Sequence, residues 1–214
     1  MQKEAGENKL SEFAPAVRRA AAAVFSGITG TQIAAADVRI PGKRGDVSVS
    51  LGEHSWAEPE CAEKALSGNI QRIDGISVFS SPARVYGRTA VLELNDALLS
   101  HYSRICVSEL DPVVLPETMA IPVKGTAADT EAAMYAAALL LGRSRAQKPF
   151  VPCTDSRDAL IRCLTLADPE AKKPTAAPAA AVRAALKICA EGKTGGEEAL
   201  AMAKMLAFAQ SKIR

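Results

Sequence analysis

The stretch ISVFSSPARVYGRTAVLELNDALL, from Ile76 to Leu99, carries the densest set of local structural signals in the chain. It predicts a first strand, a loop broken by Pro82 and Gly87, a second strand with alternating apolar residues, and a helix capped by Asn95. No catalytic motif stands in it. This strand-loop-strand-helix unit is therefore a structural centre from which the rest of the chain can be placed.

The segments before this centre extend the same mixed pattern. Apolar residues repeat at helical spacing from Ser11, with Pro15 in the first turn and Gly27 as the stop, and residues 1–9 are expected to fray. Two short strands are predicted at 38–40 and 47–51 around the turn PGKRGD, and a further helix at 59–66. The order of elements predicts a small α/β domain with a short sheet over residues 1–107.

The character of the chain changes after this domain. Pro112, Pro116 and Pro122 are spread through residues 108–127, which predicts an extended connector. Residues 128–214 show helical patterns and predict an all-α helical bundle, with helices at about 128–141, 155–166, 178–190 and 196–213. The predicted fold class is therefore α+β.

The composition limits the function without naming it. The chain has 214 residues, of which 48% are hydrophobic and only 4% aromatic, and a net charge of +2. Such a charge gives no strong general attraction for nucleic acids. The cysteines are five, with no C-x-x-C pair, and neither an apolar leader nor a membrane-length apolar run is present. We expect a soluble, cytoplasmic protein with no membrane contact.

The sequence offers little for catalysis. It holds two histidines, His54 and His101, and neither has metal-ligand spacing. Motifs for nucleotide, dinucleotide, hydrolase or zinc-protease chemistry do not occur, so we expect no metal, no cofactor and no catalytic residue. A cysteine nucleophile, Cys61 or Cys106 paired with either histidine, stays open as a minor alternative.

One set of side chains is of interest for binding. It consists of exposed hydrogen-bond donors in two loops and before one strand, and an aromatic ring among them could stack on a base. If the loops meet at one edge of the sheet, the donors form a rim for phosphate; otherwise they are ordinary surface charges. The set comprises Lys43, Arg44, Arg72, Arg84, Tyr86 and Arg88.

The order of elements resembles that of the N-terminal additional domain of arginyl-tRNA synthetases. The similarity covers about residues 10–105 and rests on four pieces: AVRRAAAAVF, the KRGD turn at 43–46, EPECAEKAL, and the central stretch at 76–99. That domain touches the outer corner of tRNA. The resemblance therefore implies contact with tRNA, and the helical second half is similar in class to the family's anticodon-binding domain.

The resemblance has limits that shape the functional hypotheses. The chain contains no counterpart of the catalytic domain, so aminoacylation is not implied. The family follows its loop glycine with an aromatic and an amide residue, whereas Gly87 is followed by Arg88 and Thr89. Our first hypothesis is a non-catalytic RNA-binding protein whose partner is tRNA or another structured RNA. The second is a protein-interaction or scaffold protein that self-associates, or binds a partner, through its Ala-rich helices.

Overall fold

The protein belongs to the α+β class, as the sequence predicted, with helices and a small antiparallel sheet. The structure is a computed structural model and describes residues 2–51, 71–113, 136–137, 140–141, 154–169, 176–191 and 196–212. Its internal contacts divide it into two units. The sheet unit is Glu12–Ser100, and the helical unit combines Met1–Ser11 with His101–Arg214.

The first helix is longer than the sequence predicted. Helix α1 spans Gln2–Thr29, so the predictions of fraying at 1–9 and of a first turn at Pro15 were wrong. Proline in a helix interior removes one backbone hydrogen bond, but a continuous apolar face can offset that loss. The helix passes Gly27 and ends at Gly30, whose φ of +66° and N–H bond to the Ser26 carbonyl are typical of a helix C-cap.

The sheet unit contains two small sheets. Strands β1 (Val47–Ser50), β4 (Arg84–Tyr86) and β5 (Thr89–Leu92) form an antiparallel sheet in the order β1-β5-β4. Strands β2 (Arg72–Ile73) and β3 (Ile76–Ser77) form a separate hairpin. The predicted strand at 38–40 contributes a single bridge, between Arg39 and Ser48, and the predicted helix at 59–66 lies outside the described residues.

The central stretch ends in the helix that the sequence predicted. Helix α2 spans Asp96–Glu109, and the Asn95 side-chain oxygen accepts a hydrogen bond from Ala97 N at 2.9 Å, which confirms Asn95 as the N-cap. Apolar side chains of α1, the sheet and the start of α2 are buried in this unit. They include Phe13, Val17, Phe25, Val47, Val49, Ala90, Leu92, Leu94 and Leu98.

The helical unit follows the predicted helices closely. Helices α3 (Thr154–Leu164), α4 (Ala176–Glu191) and α5 (Gly196–Lys212) pack against one another, and a 3-10 turn extends α3 to Ala167. Residues 136–137 and 140–141 are helical, within the helix predicted at 128–141. Most of the predicted connector at 108–127 lies outside the described residues, as does the loop between α3 and α4. Among the described residues, no helix is long and apolar enough to cross a membrane.

A buried lysine forms hydrogen bonds at the C-terminal end of α2. The Lys204 side chain, from α5, donates hydrogen bonds to the carbonyls of Val107 and Leu110, the latter at 2.9 Å. The last carbonyls of a helix lack partners within the helix, and a cation there also complements the helix dipole. Desolvation lowers the pKa of Lys204. This lysine therefore has a structural role inside the helical unit.

Candidate anion-binding pocket

Two of the predicted site residues lie on an edge strand and not in a loop. Strand β4 pairs with β5 in the register Arg84 with Val91 and Tyr86 with Thr89, so only two residues join the strands. The first of these, Gly87, has a φ of +61°, which a two-residue hairpin favours. Because side chains alternate along a strand, Arg84 and Tyr86 lie on the same face.

The turn at 42–46 brings a third predicted residue to this place. Its ends are joined by a 2.9 Å hydrogen bond from Gly42 N to the Asp46 carbonyl. The buried Asp46 carboxylate accepts a 2.8 Å bond from Leu94 N, which ties the turn to the residues after β5. Gly45 has a φ of +76°, and a Cβ built there would lie 3.4 Å from Val91 Cβ. The turn therefore lies close against the sheet and fixes the backbone of Arg44.

These elements enclose a pocket of about 230 Å³. The guanidinium carbon of Arg44 lies 5.6 Å from the centroid of the Tyr86 ring, within the range of a cation–π contact. Arg84 lines the same pocket, so three of the six predicted residues converge there. The complete lining is Arg44, Gly45, Ser81, Pro82, Arg84, Tyr86, Val91 and Glu93.

The charges of the pocket favour an anion but are not all of one sign. Two arginines and one glutamate line it, which gives a formal charge of +1. Arg84 Nη1 lies 3.7 Å from Glu93 Oε1, and the two side chains are 60% and 47% exposed. Exposed pairs of this kind contribute about 0–1 kcal/mol, so the pair leaves Arg84 able to bind a ligand.

One hydroxyl in the lining has no hydrogen-bond partner in the part of the chain that the structure describes. Ser81 Oγ is buried from solvent. Buried polar groups are nearly always satisfied, and an exception calls for a water or a ligand. Because this oxygen is closed off from solvent, a ligand in the pocket reaches it only if the Ser81 side chain turns.

The other three predicted residues are exposed but do not line the pocket. Lys43 lies in the same turn as Arg44, Arg88 is the second residue of the hairpin loop, and Arg72 lies on β2. The Arg88 carbonyl accepts a 2.9 Å hydrogen bond from Leu51 N, and the Arg88 side chain is exposed. The structure thus divides the predicted set into a pocket group and an outer group.

Sequence reasoning missed the two other polar side chains of the lining, Ser81 and Glu93. Val91 pairs with Arg84, and Glu93 lies two residues further along the same segment. Because side chains two residues apart in a strand point to the same face, the sequence pattern could have placed Glu93 on the face of Arg84. For Ser81 no such signal existed, because its position depends on the path of the chain around Pro82.

The described residues offer little support for a cysteine nucleophile. Burial raises the pKa of the Cys106 thiol to about 12, so it is protonated at neutral pH. His101 lies five residues before Cys106 on the same helix. Its ring packs edge-on against the ring of Tyr102, with the ring centroids 5.5 Å apart. Cys61 and His54 lie outside the described residues. Among the residues that are described, no group of three or more His, Cys, Asp or Glu side chains could hold a metal ion.

Comparison of the chain with protein-family models, curated proteins and solved structures found no match in any of the three.

Proposed function

We propose that the protein is a non-catalytic RNA-binding protein and that the pocket receives a phosphate group of the RNA. The observation that carries this proposal is the convergence of Arg44, Arg84 and Tyr86 in one pocket. Arginine is suited to this task because its planar fork of donors matches phosphate oxygens and its face stacks on aromatic rings.

The surroundings of the pocket support an extended strand as ligand. Lys43 and Arg88 are exposed, one residue from Arg44 and two residues from Tyr86 in the chain. They can contact phosphates on either side of the one in the pocket. Because the net charge is only +2, we expect binding to depend on these few contacts and not on a general attraction.

We further propose which class of RNA the protein binds. The resemblance of residues 10–105 to a tRNA-contacting domain favours tRNA as the partner. The residues that would read tRNA in that family have no counterparts after Gly87. We therefore propose recognition through phosphate and through an unstacked nucleotide, as single-stranded parts of folded RNAs allow. The odd number of cysteines and the lack of a C-x-x-C pair favour a reducing, cytoplasmic setting for this activity.

The test is the binding of bulk tRNA across a salt series. A double variant, Arg44→Gln with Arg84→Gln, is compared with a matched double variant, Arg19→Gln with Arg183→Gln, which removes the same charge outside the pocket. Loss of two phosphate contacts should reduce the slope of log K against log salt by about 1.4–1.8. The matched variant should keep the slope. Absence of tRNA binding at low salt, or equal losses in both variants, would contradict the proposal.

The second hypothesis, self-association through Ala-rich helices, has less support. Four of the alanines that it would use are already buried among the described residues of the helical unit: Ala136, Ala137, Ala181 and Ala185, each 0% exposed. Sedimentation at increasing protein concentration tests it directly: a shift to a dimer would favour it, and a constant monomer would exclude self-association.

A further inference from the structure

Glu93 is an unexpected residue in a pocket for an anion. Its backbone is well fixed: the Glu93 carbonyl accepts a 3.0 Å hydrogen bond from Ser80 N, and the next N–H donates to the Asp46 carboxylate. The carboxylate therefore projects from a held position beside Arg84, 3.7 Å from its nearest nitrogen. Like charges at this separation repel each other, and the repulsion is stronger near a protein surface than in water. Glu93 would therefore weaken the binding of a ligand that carries only negative charge.

The donors and acceptors that line the pocket indicate which groups a ligand needs besides its negative charge. The two arginines can donate hydrogen bonds, whereas an ionised carboxylate can only accept them. A complementary ligand therefore has acceptor oxygens and, a short distance away, a hydrogen-bond donor. A ribonucleotide meets both conditions, because its phosphate accepts and its ribose hydroxyl donates.

The size and shape of the pocket agree with part of a nucleotide. The pocket has a volume of about 230 Å³. Drug-sized ligands occupy pockets of about 300 Å³ or more. The space therefore suits a phosphate and a sugar, while the paired Arg44 and Tyr86 offer a planar surface for the base.

We propose that the pocket holds one ribonucleotide of an RNA strand, with the phosphate on Arg44 and Arg84 and a ribose hydroxyl on Glu93, so that Glu93 selects RNA over DNA. This inference rests on the proposed RNA-binding function. The competing explanation is that Glu93 forms only a diagonal cross-strand pair with Arg84. That explanation predicts no discrimination between the two sugars.

The experiment compares oligouridylate with oligodeoxyuridylate of equal length, which differ only in the 2′-hydroxyl. Binding is measured at one fixed, low salt concentration for the wild type, Glu93→Ala and Glu93→Gln. The matched control is Glu12→Gln, which changes an exposed carboxylate on α1 that does not line the pocket. Removing a carboxylate anywhere strengthens binding of both oligomers, so the informative quantity is the ratio of their affinities.

We expect the wild type to prefer the ribo-oligomer by about tenfold, the value of one hydrogen bond to a charged group. Glu93→Ala should bring the ratio close to one, Glu93→Gln should give an intermediate ratio, and Glu12→Gln should keep the wild-type ratio. Equal affinities in the wild type, or an unchanged ratio in both Glu93 variants, would overturn the inference. If tRNA binds but neither oligomer does, this inference fails alone; if tRNA does not bind, the proposed function fails with it.

Discussion

Two cations in this molecule have opposite surroundings. Lys204, in the helical unit, is buried and gives hydrogen bonds to the Val107 and Leu110 carbonyls. Arg84, in the sheet unit, is exposed at a pocket, and its neighbouring carboxylate lies 3.7 Å away. A cation whose donors are used by helix carbonyls holds structure together, whereas a cation beside a cavity with a weak partner can bind a ligand. The surroundings of a charged side chain therefore indicate whether it stabilises the fold or binds a ligand. Substitution of single residues can test this distinction.

The largest expected effect is the loss of stability when the buried Lys204 is replaced. Lys204→Met keeps a long side chain but removes the donors, which leaves two helix carbonyls without these partners. We expect the free energy of unfolding to fall by about 3 kcal/mol, from two hydrogen bonds to a charged group. Urea unfolding followed by circular dichroism measures it. The matched variant Arg84→Met should change stability by less than about 0.5 kcal/mol, and a larger loss there than at Lys204 would reverse the comparison.

The second prediction concerns alkaline pH. The unfolded chain loses the Cys106 proton near its ordinary pKa of 9.0, whereas the folded chain keeps it up to about 12. The stabilisation is therefore complete below pH 9.0 and is lost as the pH rises toward 12, by about 1.4 kcal/mol per pH unit at most. Lys204, whose folded pKa is lowered, acts in the opposite direction.

The variant Cys106→Ala isolates the thiol, because it leaves Lys204 in place. Its stability should decline less steeply than that of the wild type across this alkaline range. Parallel pH profiles for the two proteins would show that Cys106 ionises normally in the folded state. Alkylation of the folded wild type at neutral pH should also leave Cys106 unmodified.

The third prediction addresses the other end of α2. Asn95→Ala removes the oxygen that accepts a bond from Ala97 N, and we expect a loss of about 1 kcal/mol in the free energy of unfolding. Asn95→Asp keeps an acceptor and adds a charge that the helix N-terminus favours, so its stability should match that of the wild type. Both are measured by urea unfolding, and equal losses in the two variants would rule out the capping role.

The smallest effect is expected at the aromatic surface of the pocket. Tyr86→Ala removes the ring under Arg44, and an exposed cation–π contact contributes about 0.5–1 kcal/mol, so RNA affinity should fall about threefold. Tyr86→Phe keeps the ring and should bind like the wild type. Fluorescence anisotropy with labelled oligouridylate measures both, and an equal fall in both variants would assign the effect to the hydroxyl.

The sequence predicted the helices of the second half well because their boundaries have strong local signals. Helix α5 begins at Gly196, and the 3-10 turn after α3 ends before Asp168-Pro169, as predicted. The edge strand β4 was missed because all three of its residues are exposed, so it lacks apolar alternation. The β2–β3 hairpin had a usable signal in Asp74-Gly75, where both residues have positive φ.

The pocket and the buried lysine were harder to predict because both depend on distant parts of the chain. The predicted donors included Arg44 and Arg84, but their meeting depends on the Asp46 bond to Leu94, which spans 48 residues. Lys204 appears in the sequence as an ordinary lysine in a helix. Its burial depends on carbonyls 94 and 97 residues away.

The central claim is that RNA binds at the pocket between the 42–46 turn and strand β4. The most direct measurement is a backbone amide NMR titration with oligouridylate. We predict that the largest chemical-shift changes occur at pocket residues, led by Gly45, Ser81, Arg84, Tyr86 and Glu93, while α4 and α5 stay unchanged. Changes confined to the helical unit, or no changes at saturating RNA, would contradict the account.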